Sequence, residues 1–234
     1  MRILLVNDDG YGAKGIVDLY NVLKEYGDVV ICAPKTQQSG KSCAINVSYK
    51  FDFEEIDDHN FLVDGSPADC VNFMMVNRNE MFDLVVSGAN EGLNFSIFSV
   101  WSGTIGACLQ ASMLNVPSIA FSCHHKRLEQ TKKYSKQVLD FIFNNNLLIN
   151  KDTILSVNFP NVEEVKGIKI SNLSYNSHNL QINKDLDLTT LNNDFNFEDE
   201  NSDLNHIYNG YISIAPIKGN LQDKDTFLVL TKKI

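Results

Sequence analysis

Ile3, Leu4, Leu5 and Val6 form an unbroken apolar run, and Asn7, Asp8, Asp9 and Gly10 end it at once. A run apolar at every position reads as a strand buried on both faces, the kind found inside a parallel sheet. Two adjacent carboxylates at its carboxyl end repel each other, and they are costly to desolvate unless a cation or strong donors neutralise them. Oxygen ligands of this kind suit a hard divalent cation such as Mg2+ or Mn2+. The same four residues are also good turn chemistry, so a plain acidic turn is the alternative.

The pattern that follows predicts an α/β chain. Ile16, Leu19, Tyr20 and Leu23 share one face of a helix over 13–26, and residues 28–33 form a second strand, completing a βαβ unit. Gly10, Gly12 and Gly15 do not have Gly-x-Gly-x-x-Gly spacing, which argues against a dinucleotide site. Pro34 ends the second strand, and residues 35–42 form a polar loop beside the first one, where ligands bind in open sheets. Gly40, Lys41 and Ser42 lack the upstream glycine of a nucleoside-triphosphate loop.

One or two strands are expected over 43–53, and single strands over 61–63, 82–86, 116–121, 153–159, 166–171 and 211–217. Ser66 as N-cap, Pro67 at the first helical position and Asp69 in the first turn start a helix running to residue 77. The strand over 82–86 delivers Ser87, Gly88, Ala89, Asn90, Glu91, Gly92, Leu93 and Asn94 as a loop to the same sheet edge. Ser102, Gly103 and Thr104 open a helix to residue 114. They read either as an anion site built from free N–H groups or as simple capping by Ser102. Trp101 belongs to the core or borders a pocket. Another helix is expected over 127–143. His124 and His125 precede it and read as loop residues, because adjacent side chains diverge.

The chain has 234 residues, 44% of them hydrophobic, enough for one sizeable α/β domain spanning 1–234. A formal charge of −9 argues against broad binding to a nucleic-acid backbone, but a bound metal would still admit a small anionic substrate. Five cysteines without Cys-x-x-Cys spacing point to reduced thiols rather than disulfides or zinc. The first apolar run is too short for a signal peptide or a membrane span, so a cytoplasmic protein is expected. Residues 172–205 are rich in Asn, Asp and Leu and lack Gly and Pro, which predicts a protruding arm. Leu173, Leu180, Ile182, Leu186, Leu188 and Leu191 within it, and the apolar stretch 226–230, suggest packing on a partner subunit. Residues 206–234 are then a C-terminal strand and oligomerisation segment.

Taken together, the motifs resemble the SurE family of survival-protein nucleotidases. The matching pieces are Asn7-Asp8-Asp9-Gly10, Ser39-Gly40, Gly65-Ser66-Pro67-Ala68-Asp69-Cys70-Val71, Val86-Ser87-Gly88-Ala89-Asn90 with Gly92 and Asn94, Ser102-Gly103-Thr104, and Asn209-Gly210-Tyr211-Ile212-Ser213-Ile214. The resemblance covers most of the chain and is weakest in the Asn-rich arm. It implies a Rossmann-like three-layer α/β/α fold with a mostly parallel sheet and a C-terminal hairpin. It implies a metal-dependent phosphomonoesterase that hydrolyses nucleoside monophosphates, with 3′-nucleotides and polyphosphate as further candidate substrates, and a homodimer or homotetramer. One Mg2+ or Mn2+ would be held by Asp8, Asp9, Ser39 and Asn90. Asn94, Ser102, Gly103 and Thr104 would hold the phosphate, and Asp8, Asp9 and Asn94 would be the catalytic set. Attack by activated water is expected rather than an aspartyl phosphate. The sequence departs from the family pattern at Leu93 (usually Pro), Ser96 (Gly), Trp101 (Tyr or His), Gln110 (Glu) and Asn220 (Asp).

A receiver domain is the main rival, since it also opens with a strand and an acid pair. Asp52 would then be the phosphoacceptor, but Phe51-Asp52-Phe53 lacks the Met-Pro turn expected after it, and no Lys stands near the end of the strand over 116–121.

Overall fold

The computed structural model describes residues 1–48, 52–174, 199–219 and 224–231. In chain order its elements are β1 (Arg2–Val6), α1 (Lys14–Leu23), β2 (Asp28–Pro34), β3 (Phe53–Asp57), β4 (Asn60–Val63) and α2 (Pro67–Asn72). Next come β5 (Leu84–Glu91), α3 (Phe98–Trp101), α4 (Gly103–Met113), β6 (Ser118–Cys123), α5 (Glu129–Asn144) and β7 (Ile154–Phe159). The described chain ends with β8 (Ile168–Ile170), α6 (Asp203–Tyr208), β9 (Ile212–Ile217) and α7 (Lys224–Thr231).

The described strands form one sheet in the order β3-β4-β2-β1-β5-β6-β7-β9-β8. All neighbours are parallel except β3 with β4 and β7 with β9. The fully apolar β1 lies inside this sheet, and its side chains alternate between two cores. Ile3 and Leu5 pack with Ile16, Leu19 and Leu23 of α1 and Val138, Leu139 and Ile142 of α5. Leu4 and Val6 pack on the other face with Cys70 and Val71 of α2 and Ala107 and Ala111 of α4. The result is three layers, helix on sheet on helix. Each fully buried aliphatic side chain contributes about 1.5–3 kcal/mol of burial.

From β1 the chain winds one way through β2 and later returns to place β5 on the other side. The crevice between the carboxyl ends of β1 and β5 is therefore the topological switch point, where open α/β sheets bind ligands. The carboxyl ends of β2 and β6 flank it.

Several expected elements take a different form. Residues 43–48 are irregular, 49–51 lie outside the described residues, and strand β3 begins only at Phe53. The helix after Ser66 has its full capping box, with Asp69 accepting from the Ser66 backbone, but it ends in a π-helical turn over Phe73–Asn77. Ser87, Gly88, Ala89 and Asn90 look like loop residues, yet they stay in β5. Pairing to β1 through Val6↔Ser87 and to β6 through Asn90↔Ser122 holds them there, and β5 takes one extra residue between Ser87 and Asn90. Such a bulge re-aims side chains, a common device beside active sites. Gly88 sits in it at φ 119°, where a Cβ would come within 2.2 Å of the Phe121 carbonyl oxygen.

Most of the expected arm, 175–198, lies outside the described residues, as does Asn220. Its last residues belong instead to α6, whose Leu204 and Ile207 pack on Phe95. The apolar end is helical: α7 leaves Phe227, Leu228, Val229 and Leu230 each about half exposed. Among the described residues no helix is long and apolar enough to cross a membrane. All five cysteines are free.

Candidate active site

The acid pair caps β1 at the switch point. Asn7 is fully buried, and its Nδ2 donates to the Gly10 carbonyl at 2.8 Å, which closes the turn carrying Asp8 and Asp9. Asn7 Oδ1 is buried with no hydrogen-bond partner among the described residues. Asp8 is only 3% exposed. Its Oδ1 accepts from the Thr104 hydroxyl at 2.8 Å, and its backbone oxygen accepts from Gln38 N–H at 2.7 Å. Asp9 Oδ2 accepts from Glu91 N–H at 3.1 Å, tying the turn to the end of β5. Burial, and then the charge of Asp9, push the Asp8 carboxyl up to about 6, against the opposing donors at Thr104. Asp9 is also raised by burial.

These contacts bring three further segments to the acids. The loop after β2 reaches Asp8 through Gln38, placing the exposed Ser39 next in the chain. That loop also grips the end of α3, just ahead of α4: Ser42 donates from its backbone to Trp101 O at 3.0 Å and from its hydroxyl to Val100 O at 2.7 Å. Gly106 makes the approach possible, since a Cβ there would lie 2.0 Å from Ser42 O. The amino end of α4 abuts Asp8, with a Cβ on Gly103 falling 3.1 Å from that of Asp8. Asn90 enters from β5; its Nδ2 donates to Gly92 O at 2.8 Å, which leaves the amide oxygen as the uncommitted end.

The remaining candidates occupy less open positions. The Ser102 hydroxyl caps α4 by accepting from Ile105 N–H at 3.2 Å. The Thr104 hydroxyl is turned to Asp8, not left free for a ligand. Asn94 is buried, and its Nδ2 donates to Ser122 Oγ at 2.8 Å. Trp101 is 43% exposed and meets Phe98 edge-on at 5.9 Å. His124 and His125 stack together on a short 3-10 turn, and His124 Nδ1 accepts from Lys126 N–H.

Sequence reasoning missed Gln38, Glu91, Ser122, Asn158 and Asp203. The first two act through backbone N–H groups and carry no side-chain signal. Asn158 did leave a trace, because Ser156 and Asn158 are polar at alternate positions of the otherwise apolar β7.

The donor set suits a hard cation. Among the described residues no three acidic, His or Cys side chains converge. Two carboxylates with neutral Ser and Asn oxygens are a set for Mg2+ or Mn2+ rather than for zinc. Two adjacent buried acids, one pushed up to about 6, are an electrostatic arrangement that a divalent cation relieves. A separate polar cleft of about 490 Å³ lies at the amino ends of β2 and β4, lined by residues including Tyr20, Lys24, Asp28 and His59. There the Asp28 carboxylate already has His59 Nε2 at 3.0 Å.

Known proteins show the same arrangement of chain. A "5′-nucleotidase SurE" of Mannheimia succiniciproducens is 32% identical over 98% of this chain and 97% of its own. That of Haemophilus influenzae is 33% identical over 98% and 96%. The crystal structure of the SurE protein from Aquifex aeolicus superposes with a TM-score of 0.81 at 29% identity, covering 99% of both chains. The family described as "Survival protein SurE" matches residues 3–180, and the chain belongs to the SurE family.

Proposed function

We propose that this chain is a divalent-metal-dependent 5′-nucleotidase that hydrolyses nucleoside monophosphates to nucleoside and phosphate. The observation that carries the reading is the acid pair at the switch point, with Asp8 desolvated against the amino end of α4. Relatives named 5′-nucleotidase align over nearly the whole chain.

Asp8, Asp9, Ser39 and Asn90 would hold one Mg2+ or Mn2+. When bound, the cation polarises a phosphoryl oxygen and lowers the pKa of a coordinated water. The amino end of α4, at Ser102, Gly103 and Thr104, receives the phosphate with help from its N–H groups and dipole, and Asn94 flanks it. One oxygen of each carboxylate is already engaged, Asp8 by Thr104 and Asp9 by Glu91 N–H. With their other oxygens on the cation, both acids would serve as orienting groups, and the phosphoryl group would pass directly to water. The bond from water oxygen to phosphorus forms as the ester bond breaks, and the nucleoside hydroxyl leaves with a proton. No phosphate becomes attached to Asp8 or Asp9.

The same site is read as acting on 3′-nucleotides and short polyphosphate, because the phosphate end is what the chain grips. The whole sequence acts as one domain, with the 172–205 arm and the 206–234 segment serving a homodimer or homotetramer. The half-exposed Phe227, Leu228, Val229 and Leu230 support that assembly. Free cysteines fit a cytoplasmic location.

The test is a panel of nucleoside 5′- and 3′-monophosphates and tripolyphosphate, assayed for phosphate release after EDTA and again after added Mn2+ or Mg2+. The expected result is release that EDTA abolishes and metal restores, with no phosphoenzyme after rapid quench. Release indifferent to EDTA would overturn the metal reading.

A further inference from the structure

We infer that Asn158, with Ser122 beside it, is a positioning residue that sets Asn94 for phosphate binding. The inference rests on the nucleotidase reading above. Asn158 is wholly buried near the carboxyl end of β7. Its Oδ1 accepts from Asn94 N–H at 2.8 Å, and its Nδ2 donates to Asn94 O at 3.0 Å. One amide side chain thus reads both backbone groups of a residue 64 positions away.

The sheet supplies the second contact. β6 and β7 are parallel with Ser122 opposite Asn158, so the two side chains leave the same face as registered neighbours. Ser122 Oγ accepts from Asn94 Nδ2 at 2.8 Å. The Asn94 carbonyl also takes the hydroxyls of Ser99 and Ser156, at 3.3 and 3.4 Å. Asn94 is therefore held at its N–H, its carbonyl and its side-chain amide at once. Burial alone obliges these groups to find partners. What is particular here is that one side chain from β7 takes both backbone groups while its registered neighbour on β6 takes the side-chain amide, so the rigid sheet fixes where Asn94 points.

Asparagine is the side chain this geometry requires, since it must accept and donate through adjacent atoms. In Asn158→Asp the introduced carboxyl keeps the acceptor toward Asn94 N–H. Its other oxygen faces the Asn94 carbonyl and can bond to it only while protonated. The partners that Asn158 bonds, Asn94 and Ser156, do not titrate. The acids of the region, Asp203 on Ser96 N–H and the pair Asp8 and Asp9, titrate in parent and variant alike, so what the variant-to-parent ratio adds is the ionisation of the introduced carboxyl together with any shift it imposes on those acids.

The experiment measures kcat and KM for a nucleoside 5′-monophosphate with saturating Mn2+, for the parent, Asn158→Asp and Ser122→Ala, at pH 5.5 and pH 8. For Asn158→Asp we expect kcat/KM within about threefold of the parent at pH 5.5 and at least about tenfold below it at pH 8, mainly through KM. A purely structural role would lower the amount of folded protein without a pH-dependent KM. Should Asn158→Asp unfold at pH 8, Ser122→Ala decides, because it deletes a single neutral bond to the same side chain. A KM raised about threefold or more supports the inference, and a parental KM overturns it. Parental kinetics in folded Asn158→Asp at both pH values overturn it equally. A parent that releases no phosphate under any metal overturns the nucleotidase reading itself, and this inference falls with it.

Discussion

Asp8 and Asp203 are the same residue under nearly the same burial, 3% and 0% exposed, and their surroundings treat them differently. Asp203 opens α6 and accepts three backbone N–H groups: Ser96 at 2.8 Å, Ser174 at 2.9 Å and Leu204 at 2.7 Å. Burial raises its pKa and those three donors oppose the rise. Asp8 has the Thr104 hydroxyl on its Oδ1 and the backbone N–H groups of Thr104 and of its own residue, but a second acid is its chain neighbour, so burial and like charge together outweigh those donors. Asp203 is a carboxylate completed by the fold. Asp8 is one the fold leaves short of positive charge, and that shortage is what a cation would fill.

The sharpest way to break this contrast is to neutralise each acid. Asp8→Asn and Asp9→Asn should each lower phosphatase activity by on the order of a hundredfold or more, through the charge lost at the cation site. The metal-free melting temperature of Asp8→Asn should not fall, because the change removes a poorly compensated buried charge. Near-parental turnover in both variants at saturating substrate and metal would remove the acid pair from the site.

Acidity gives a second handle. The Asp8 carboxyl titrates at about 6 in the folded metal-free chain, above its ordinary 3.8. The folded state therefore holds this proton more tightly than the unfolded one. Its contribution to stability is greatest below pH 4 and is lost as pH rises toward 6, by at most about 3 kcal/mol. Asp9 and Asp203, whose carboxyls are also raised, give a slope of the same sign in both proteins, so urea unfolding of the metal-free parent and of Asp8→Asn between pH 4 and 7 should show a steeper loss in the parent. The cation needs the ionised form, so Mn2+ affinity should weaken as pH drops below about 6. An affinity flat from pH 7 to pH 5 would show that Asp8 is not a ligand.

For Asp203→Asn the expected loss is in stability. The amide turns an N–H₂ toward at least one of three fixed donors, costing about 2–4 kcal/mol. Thermal unfolding should fall by roughly 5–10 °C for a chain of this size. Activity of the folded variant should drop far less than in Asp8→Asn, since Asp203 reaches the site only through Ser96. A hundredfold loss with no change in melting temperature would reverse the two roles.

The contrast also explains what could be read from sequence. Asp8 and Asp9 are legible because the signal is local: an apolar strand, two acids and a glycine within one short stretch. The two-faced burial of β1 followed from the same residues. Asp203 is not legible, because its partners Ser96 and Ser174 are 107 and 29 residues away and contribute only backbone N–H groups. Asn158 acts across a similar separation. Ser87, Gly88, Ala89 and Asn90 have turn composition, and only pairing on both sides keeps them in β5. Residues 226–230 show an apolar run without a period long enough to separate helix from strand, and they lie in α7.

Thr104 sits where the two kinds of compensation meet, and its replacement should have the smallest effect. Its hydroxyl was expected to serve the phosphate, but it donates to Asp8 Oδ1 at 2.8 Å. Thr104→Val keeps the shape of the side chain and deletes that donor. A hydrogen bond of this kind contributes about 0.7–1.4 kcal/mol net, so kcat/KM should fall by roughly three- to tenfold. The sign with pH separates the two roles. Without the hydroxyl the Asp8 carboxyl moves further up, so less of it is ionised near pH 6, whereas at pH 8 it is ionised in both proteins. The deficit should therefore be larger at pH 5.5 than at pH 8, with the acid limb of the rate profile displaced upward, and Thr104→Ser should restore it. A deficit equal at every pH and carried by KM would show that the hydroxyl acts on the phosphate instead, leaving Asp8 with only the cation for compensation.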